Sequence, residues 1–288
     1  MKSDRADSAR VTSSDNIDPA TVSGFGDEWS RFDQSGLDAA EREQICADYF
    51  DIFPWEDLPQ GAVGADIGCG SGRWARVVAS RVGLLHLVDA SAEALEVARR
   101  NLACLDNVEF HPAPVADMPL ADGSLDFAYS LGVLHHLPDT AAAIRSVAAK
   151  LRPGAPLLVY LYYAFDNRPA WYRLLWRTSE LGRGAISRLP MPLRYLSSQL
   201  LAAGVYWPLA RAARVLERAG ALPRSWPLAY YRDKSFYVMR TDALDRFGTR
   251  LEQRFSQAQI RRMLEAAGLG RVQFSTTPPN WCALGYRD

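Results

Sequence analysis

The chain has 288 residues, with 33 lysines and arginines balancing 33 aspartates and glutamates, and 48% hydrophobic residues. A formal charge of zero and the absence of a lysine-rich tail or nucleic-acid motif exclude a nucleic-acid partner, while the apolar content is ample for a globular core. The four cysteines, Cys46, Cys69, Cys104 and Cys282, are dispersed, which excludes a disulfide framework, gives no metal-ligand spacing and fits a reducing, cytoplasmic setting.

Residues 1–23 are rich in Ser, Thr, Asp and Arg and read as a disordered tail. Aromatic residues then accumulate (Phe25, Trp29, Phe32, Tyr49, Phe50, Phe53 and Trp55) at spacings that predict short amphipathic helices over residues 24–60. This segment is expected to form a helical cover, serving either as a packing staple or as a lid.

From residue 61 the chain alternates apolar strands with helical stretches. Ala62 and Val63 lead into Ala65-Asp66-Ile67-Gly68-Cys69-Gly70-Ser71-Gly72, and a helix is predicted from Arg73 to Ser80. Glycines at 68, 70 and 72 let a ligand approach bare backbone. The pattern differs from the dinucleotide form G-x-G-x-x-G. A second strand, Leu84 to Val88, closes on Asp89, placed to accept hydrogen bonds from ribose hydroxyls. Val108–Phe110 and Leu125–Ser130 read as the third and fourth strands, the latter running into Leu131-Gly132-Val133-Leu134-His135-His136.

In this order the segments resemble the class I S-adenosylmethionine (SAM) dependent methyltransferases, most closely over residues 60–162. The resemblance implies SAM as cofactor and S-adenosylhomocysteine (SAH) as product. By it, Asp66, Gly68, Cys69 and Gly70 form the cofactor loop and Asp89, followed by Ala90, meets the ribose. Asp117 and Met118 meet the adenine, and Ser130 ends the strand beside the cofactor. The SAM carboxylate suits the positive end of the helix after the loop. There Arg73 pairs with it or is solvated. The implied fold is α/β, a doubly wound, mostly parallel seven-stranded sheet. Asp139 caps the helix that follows the histidines, and Leu157–Leu161 is the fifth strand. Ser256 and Gln259 have capping-box spacing for the last helix, before a closing antiparallel pair (Val272–Phe274 and Trp281–Tyr286) turning at Pro278-Pro279-Asn280.

Residues 61–165 therefore read as a SAM-binding core and 251–288 as its completion. Residues 166–250 exceed what the minimal fold needs and are expected to form a large, mainly helical insertion. Between 168 and 224 there are ten arginines, two glutamates and no lysine, interleaved with Trp, Tyr and Leu. An ordinary cap, a basic amphipathic face at an anionic membrane surface and a pocket for an anionic acceptor all remain open. The uncharged run 195–210 is too short and too polar to span a bilayer.

His135 or His136 is a candidate general base, because imidazole titrates near neutral pH. The alternative is that both are structural. Tyr163, with Tyr162, Asp166 and Asn167, is placed on the opposite lip of the cleft. The function expected is methyl transfer to a small-molecule or lipid-linked acceptor, at a hydroxyl oxygen, by a cytoplasmic protein with or without peripheral contact at the inner membrane face. The alternatives are a SAM-binding enzyme of another reaction class and a non-catalytic SAM-binding partner.

Overall fold

The computed structural model describes residues 16–165, 168–277 and 282–288. Asp166, Asn167 and the 278–280 turn fall outside them. Helices α1 (Pro19–Arg31) and α2 (Ala39–Tyr49) precede an alternating series: β1 (Val63–Ile67), α3 (Ala75–Val78), β2 (Leu84–Asp89), α4 (Ala92–Asn101), β3 (Val108–Pro112), β4 (Phe127–Leu131), α5 (Thr140–Lys150) and β5 (Pro156–Tyr160). The helices α6 (Ala170–Ile186), α7 (Met191–Leu201), α8 (Trp207–Arg218) and α9 (Phe236–Gly248) follow, then α10 (Gln257–Ala266), β6 (Leu269–Phe274) and β7 (Cys282–Arg287).

The seven strands lie in the order β3-β2-β1-β4-β5-β7-β6. Only β7 runs antiparallel, between β5 and β6. This is the doubly wound sheet expected from the chain order. Burial on both faces explains why its central strands read as continuous apolar runs. Ala65, Ile67, Leu157 and Val159 pack beneath α5 and α10, while Leu85, Leu87, Phe127, Tyr129 and Leu158 pack on the other face with Phe50, Phe53 and Trp74.

Local signals are realised in side-chain geometry. Asp139 accepts a hydrogen bond from the Ala142 backbone at 2.8 Å, and the Ser256–Gln259 capping box makes both of its bonds.

Two expectations change. Helix α1 begins at Pro19, so the tail ends before residue 24. Asn16 anchors this entry by exchanging two hydrogen bonds with the Asp139 backbone, a polar attachment that composition does not reveal. The helix predicted from Arg73 shrinks to Ala75–Val78, followed by a 3₁₀ turn to Arg81. Arg73 therefore lies in the turn ahead of a single helical turn, where the macrodipole is slight.

A π-helical turn, Ala202–Tyr206, joins α7 to α8. Pro208 lies just after it and lacks the N–H an α-helix would need there. Ala202, Tyr206, Ala210, Met239 and Ala243 give this region a small core of its own. Among the described residues, no helix is long and apolar enough to cross a membrane.

Candidate active site

The carboxyl ends of β1, β2, β4 and β5 open toward one cavity of about 630 Å³, which the insertion closes from the far side. Open α/β sheets hold their ligands at this edge. Its strand-end wall includes Gly68, Cys69, Asp89, Ala90, Gly132 and Val133. Phe25, Glu28 and Trp29 of α1 cover it, and Tyr206, Tyr230, Tyr231, Asp242 and Asp245 line the insertion side.

The loop geometry follows from its glycines. Gly68 has φ +77°, and a Cβ there would stand 2.4 Å from Val133 Cγ1. Gly70 has φ +53°, and a Cβ would stand 2.8 Å from the Trp29 indole nitrogen. Side chains at either position would collide with the wall or the roof. Asp89 is the electrostatic anchor: its two oxygens accept hydrogen bonds from Gly70 N and Ser91 N, each at 2.8 Å. Burial raises its pKa, partly opposed by those two donors. Each oxygen keeps a second lone pair for a ligand hydroxyl. The Arg73 guanidinium stands over the Trp74 and Trp29 rings, 4.3 and 5.4 Å from their centroids, and faces the cavity.

Several sequence candidates lie behind this wall. Asp66 is buried and accepts from the Tyr129 hydroxyl at 2.9 Å. Ser130 is fully buried, with its hydroxyl spent on the Ile67 carbonyl. Met118 packs in the core and Asp117 is exposed; the wall nearby is Ala113, Pro114 and Val115 instead. Cys69 does line the cavity, but burial lifts its thiol well above the ordinary value, so it is no thiolate nucleophile.

Burial pushes the Asp66 carboxyl up to about 7, against the lowering hydrogen bond from Tyr129. Below about 3.8 the group is protonated in both folded and unfolded chains and has no effect. Between there and 7 the folded chain holds a proton that the unfolded chain has lost, so stability falls as pH rises and levels off above 7. Asp66→Asn is therefore expected to gain on the ligand-free parent between pH 4 and 8, by up to about 4 kcal/mol. Urea unfolding at the two pH values checks this; a parallel pH dependence in both proteins would refute it.

The two histidines separate sharply. His135 is fully buried, with no hydrogen-bond partner at either ring nitrogen. It stacks on Tyr162 at 3.9 Å and lies outside the cavity wall. Burial, then the neighbouring His136, holds it well below the ordinary value, so it stays neutral. His136 lines the cavity. Its Nδ1 donates to the Leu251 carbonyl at 2.6 Å, which fixes the tautomer and leaves the Nε2 lone pair available. Nε2 faces Asp245 Oδ1 at 3.9 Å, and neither atom has a hydrogen-bond partner. The other Asp245 oxygen accepts from the Tyr162 hydroxyl at 2.6 Å. Tyr163 lines the cavity with its ring 4.5 Å from Phe165.

Sequence reading missed a group of acids. Glu28 is buried, with Oε1 unpartnered, and burial followed by Asp245 raises its pKa. Asp242 is lifted by burial to about 6. The three-residue spacing of Asp242 and Asp245 on one helix was the available signal, since it places both on one face.

Residues 65–159 match the family model described as a methyltransferase domain. That stretch, about a third of the chain, is similar to the class I SAM-dependent methyltransferases. The chain is 34% identical over 107 residues to methyltransferase GfsG of Streptomyces halstedii, covering 36% of this chain and 38% of that one. To 27-O-demethylrifamycin SV methyltransferase of Amycolatopsis mediterranei it is 30% identical over 127 residues, covering 42% and 46%. The chain thus spans less than half the length of these curated relatives. A chain from the complex between the Haloferax volcanii Trm112 methyltransferase activator and its candidate methyltransferase shares the fold, with TM-score 0.51 and 15% identity over 91% of this chain and 96% of that one. SAM is the cofactor of those methyltransferases, and the residues around this cavity fit it. The glycine loop is bare, a buried carboxylate stands at the end of β2, and Arg73 faces the same cavity.

Proposed function

We propose that the protein transfers the methyl group of SAM to a hydroxyl of a small-molecule acceptor held between His136 and the insertion. When bound, SAM supplies an electrophilic methyl on its sulfonium. Gly68, Cys69, Gly70 and Ala90 give the cofactor backbone and small surfaces, Asp89 accepts from its ribose, and Arg73 faces its carboxylate. His136 takes the acceptor proton at Nε2, and Asp245 stabilises the resulting imidazolium. Tyr163 borders the acceptor. The single observation carrying this reading is the fixed tautomer of His136 beside an unpartnered Asp245 oxygen at the cavity. Two relatives named as methyltransferases, one acting on a demethylrifamycin, support a small-molecule acceptor.

An anionic acceptor has less support. Of the cavity arginines, Arg246 is held by Glu180 and Glu252, Arg254 by Glu252, and Arg232 by Glu217. Glu28, Asp242 and Asp245 meanwhile face the cavity.

A lipid-linked acceptor has a specific observation in its favour. Among the described residues, all eleven exposed large hydrophobic side chains fall between Trp171 and Phe236, Leu181 at 79% and Leu200 at 65% among them. With the arginines of 168–224, they make a surface suited to an anionic membrane. Methyl-labelled SAM incubated with the protein and a cell extract tests both readings. Label in water-soluble small molecules supports the first, and label in the organic fraction supports a lipid-linked acceptor. No transfer despite tight SAH binding would overturn methyl transfer in favour of a non-methylating role.

A further inference from the structure

Away from the cavity, the parallel pairing of β2 with β3 brings together three side chains that are far apart in sequence. His86 lies opposite Glu109 in the register, and His111 follows two residues on, on the same face of edge strand β3. His86 Nδ1 is 3.0 Å from His111 Nε2 and 3.3 Å from Glu109 Oε2, and His111 Nε2 is 3.9 Å from the same oxygen. A triangle with these sides has a point about 2 Å from all three corners, the distance at which zinc takes imidazole nitrogen and carboxylate oxygen. Among the described residues, this is the one group of His, Cys, Asp or Glu donors so arranged.

From this juxtaposition we propose that His86, Glu109 and His111 bind a divalent transition-metal ion, with zinc the best match to two imidazoles and one carboxylate. The fourth position opens to solvent on the side of Glu109, whose side chain is 56% exposed, whereas the imidazoles are mostly covered, at 14% and 18%. Ligation needs both nitrogens unprotonated, and burial holds both imidazoles below their ordinary pKa. Without an ion, the 3.0 Å contact satisfies the two nitrogens only by sharing one proton.

The position suggests what such an ion would do. β3 pairs with β2 alone, so the ion would staple the edge strand to its neighbour. Asp89 follows His86 by three residues and Ala113 follows His111 by two. The clip therefore stiffens the two strands whose ends form part of the cavity wall.

The test uses full-length protein free of any histidine tag, titrated with zinc chloride by calorimetry and analysed for bound metal after buffer exchange. One zinc per chain is expected, with a raised melting temperature. Glu109→Gln should weaken zinc binding at least tenfold, and His86→Ala/His111→Ala should abolish it while SAH binding continues. No zinc binding, or the same stoichiometry and affinity in the double variant, would overturn the site. If the double variant fails to fold, the exposed Glu109→Gln decides: unchanged affinity there overturns it equally.

Discussion

Asp89→Ala is expected to reduce SAH affinity at least about 100-fold, a loss of about 3 kcal/mol. From sequence alone the loss would be about 1–3 kcal/mol, the cost of leaving two ribose hydroxyls unpaired. The structure adds the Gly70 and Ser91 N–H groups, which both take Asp89 as acceptor. Removing the carboxylate orphans these donors and loosens the glycine loop on which the cofactor would rest. Asp89→Asn separates the two contributions. Its amide oxygen can still take one backbone donor, so it should bind SAH more weakly than the parent and more tightly than the alanine variant. Calorimetric titration reads both, and parent-like affinity in Asp89→Ala would remove the residue from the cofactor site.

His136→Ala is expected to lower kcat by 100- to 10,000-fold, the range associated with losing a positioned general base. SAH affinity should change little, because His136 holds the acceptor side. His135→Phe should preserve most activity, since the His135 ring packs on Tyr162 away from the cavity and a phenyl ring keeps that packing. Asp245→Asn should fall between them, for it removes the charge opposite Nε2 while leaving an oxygen for the Tyr162 hydroxyl. Steady-state rates with a saturating acceptor distinguish these outcomes. Equal losses in the His135 and His136 variants would assign both rings a structural role.

The architecture was legible because its signals are local. The glycine loop, the acid closing β2, the Asp139 cap and the Ser256 box each specify backbone geometry within a few residues, and the alternating pattern then dictates a doubly wound sheet. The site was legible only in part. Adjacent histidines look equivalent in sequence, yet the sharp turn Leu134–His136 sends one ring into the core and the other to the cavity. Asp66 and Ser130 carry hydrogen-bonding groups in sequence, but in the fold Tyr129 and the Ile67 carbonyl claim them. Glu28 depends on α1 folding over the sheet, a tertiary event with no periodic trace, and the Asp242–Asp245 spacing marks one face of α9 without showing that this face turns to the cavity. The same holds for His86 and His111, which strand pairing alone unites.

The most direct measurement is calorimetric titration of the full chain with SAH and, in parallel, with NAD. The assignment predicts one SAH bound per chain, with NAD at least 100-fold weaker, because the loop lacks the dinucleotide glycine spacing. NAD binding as tightly as SAH, or no SAH binding at all, would contradict it.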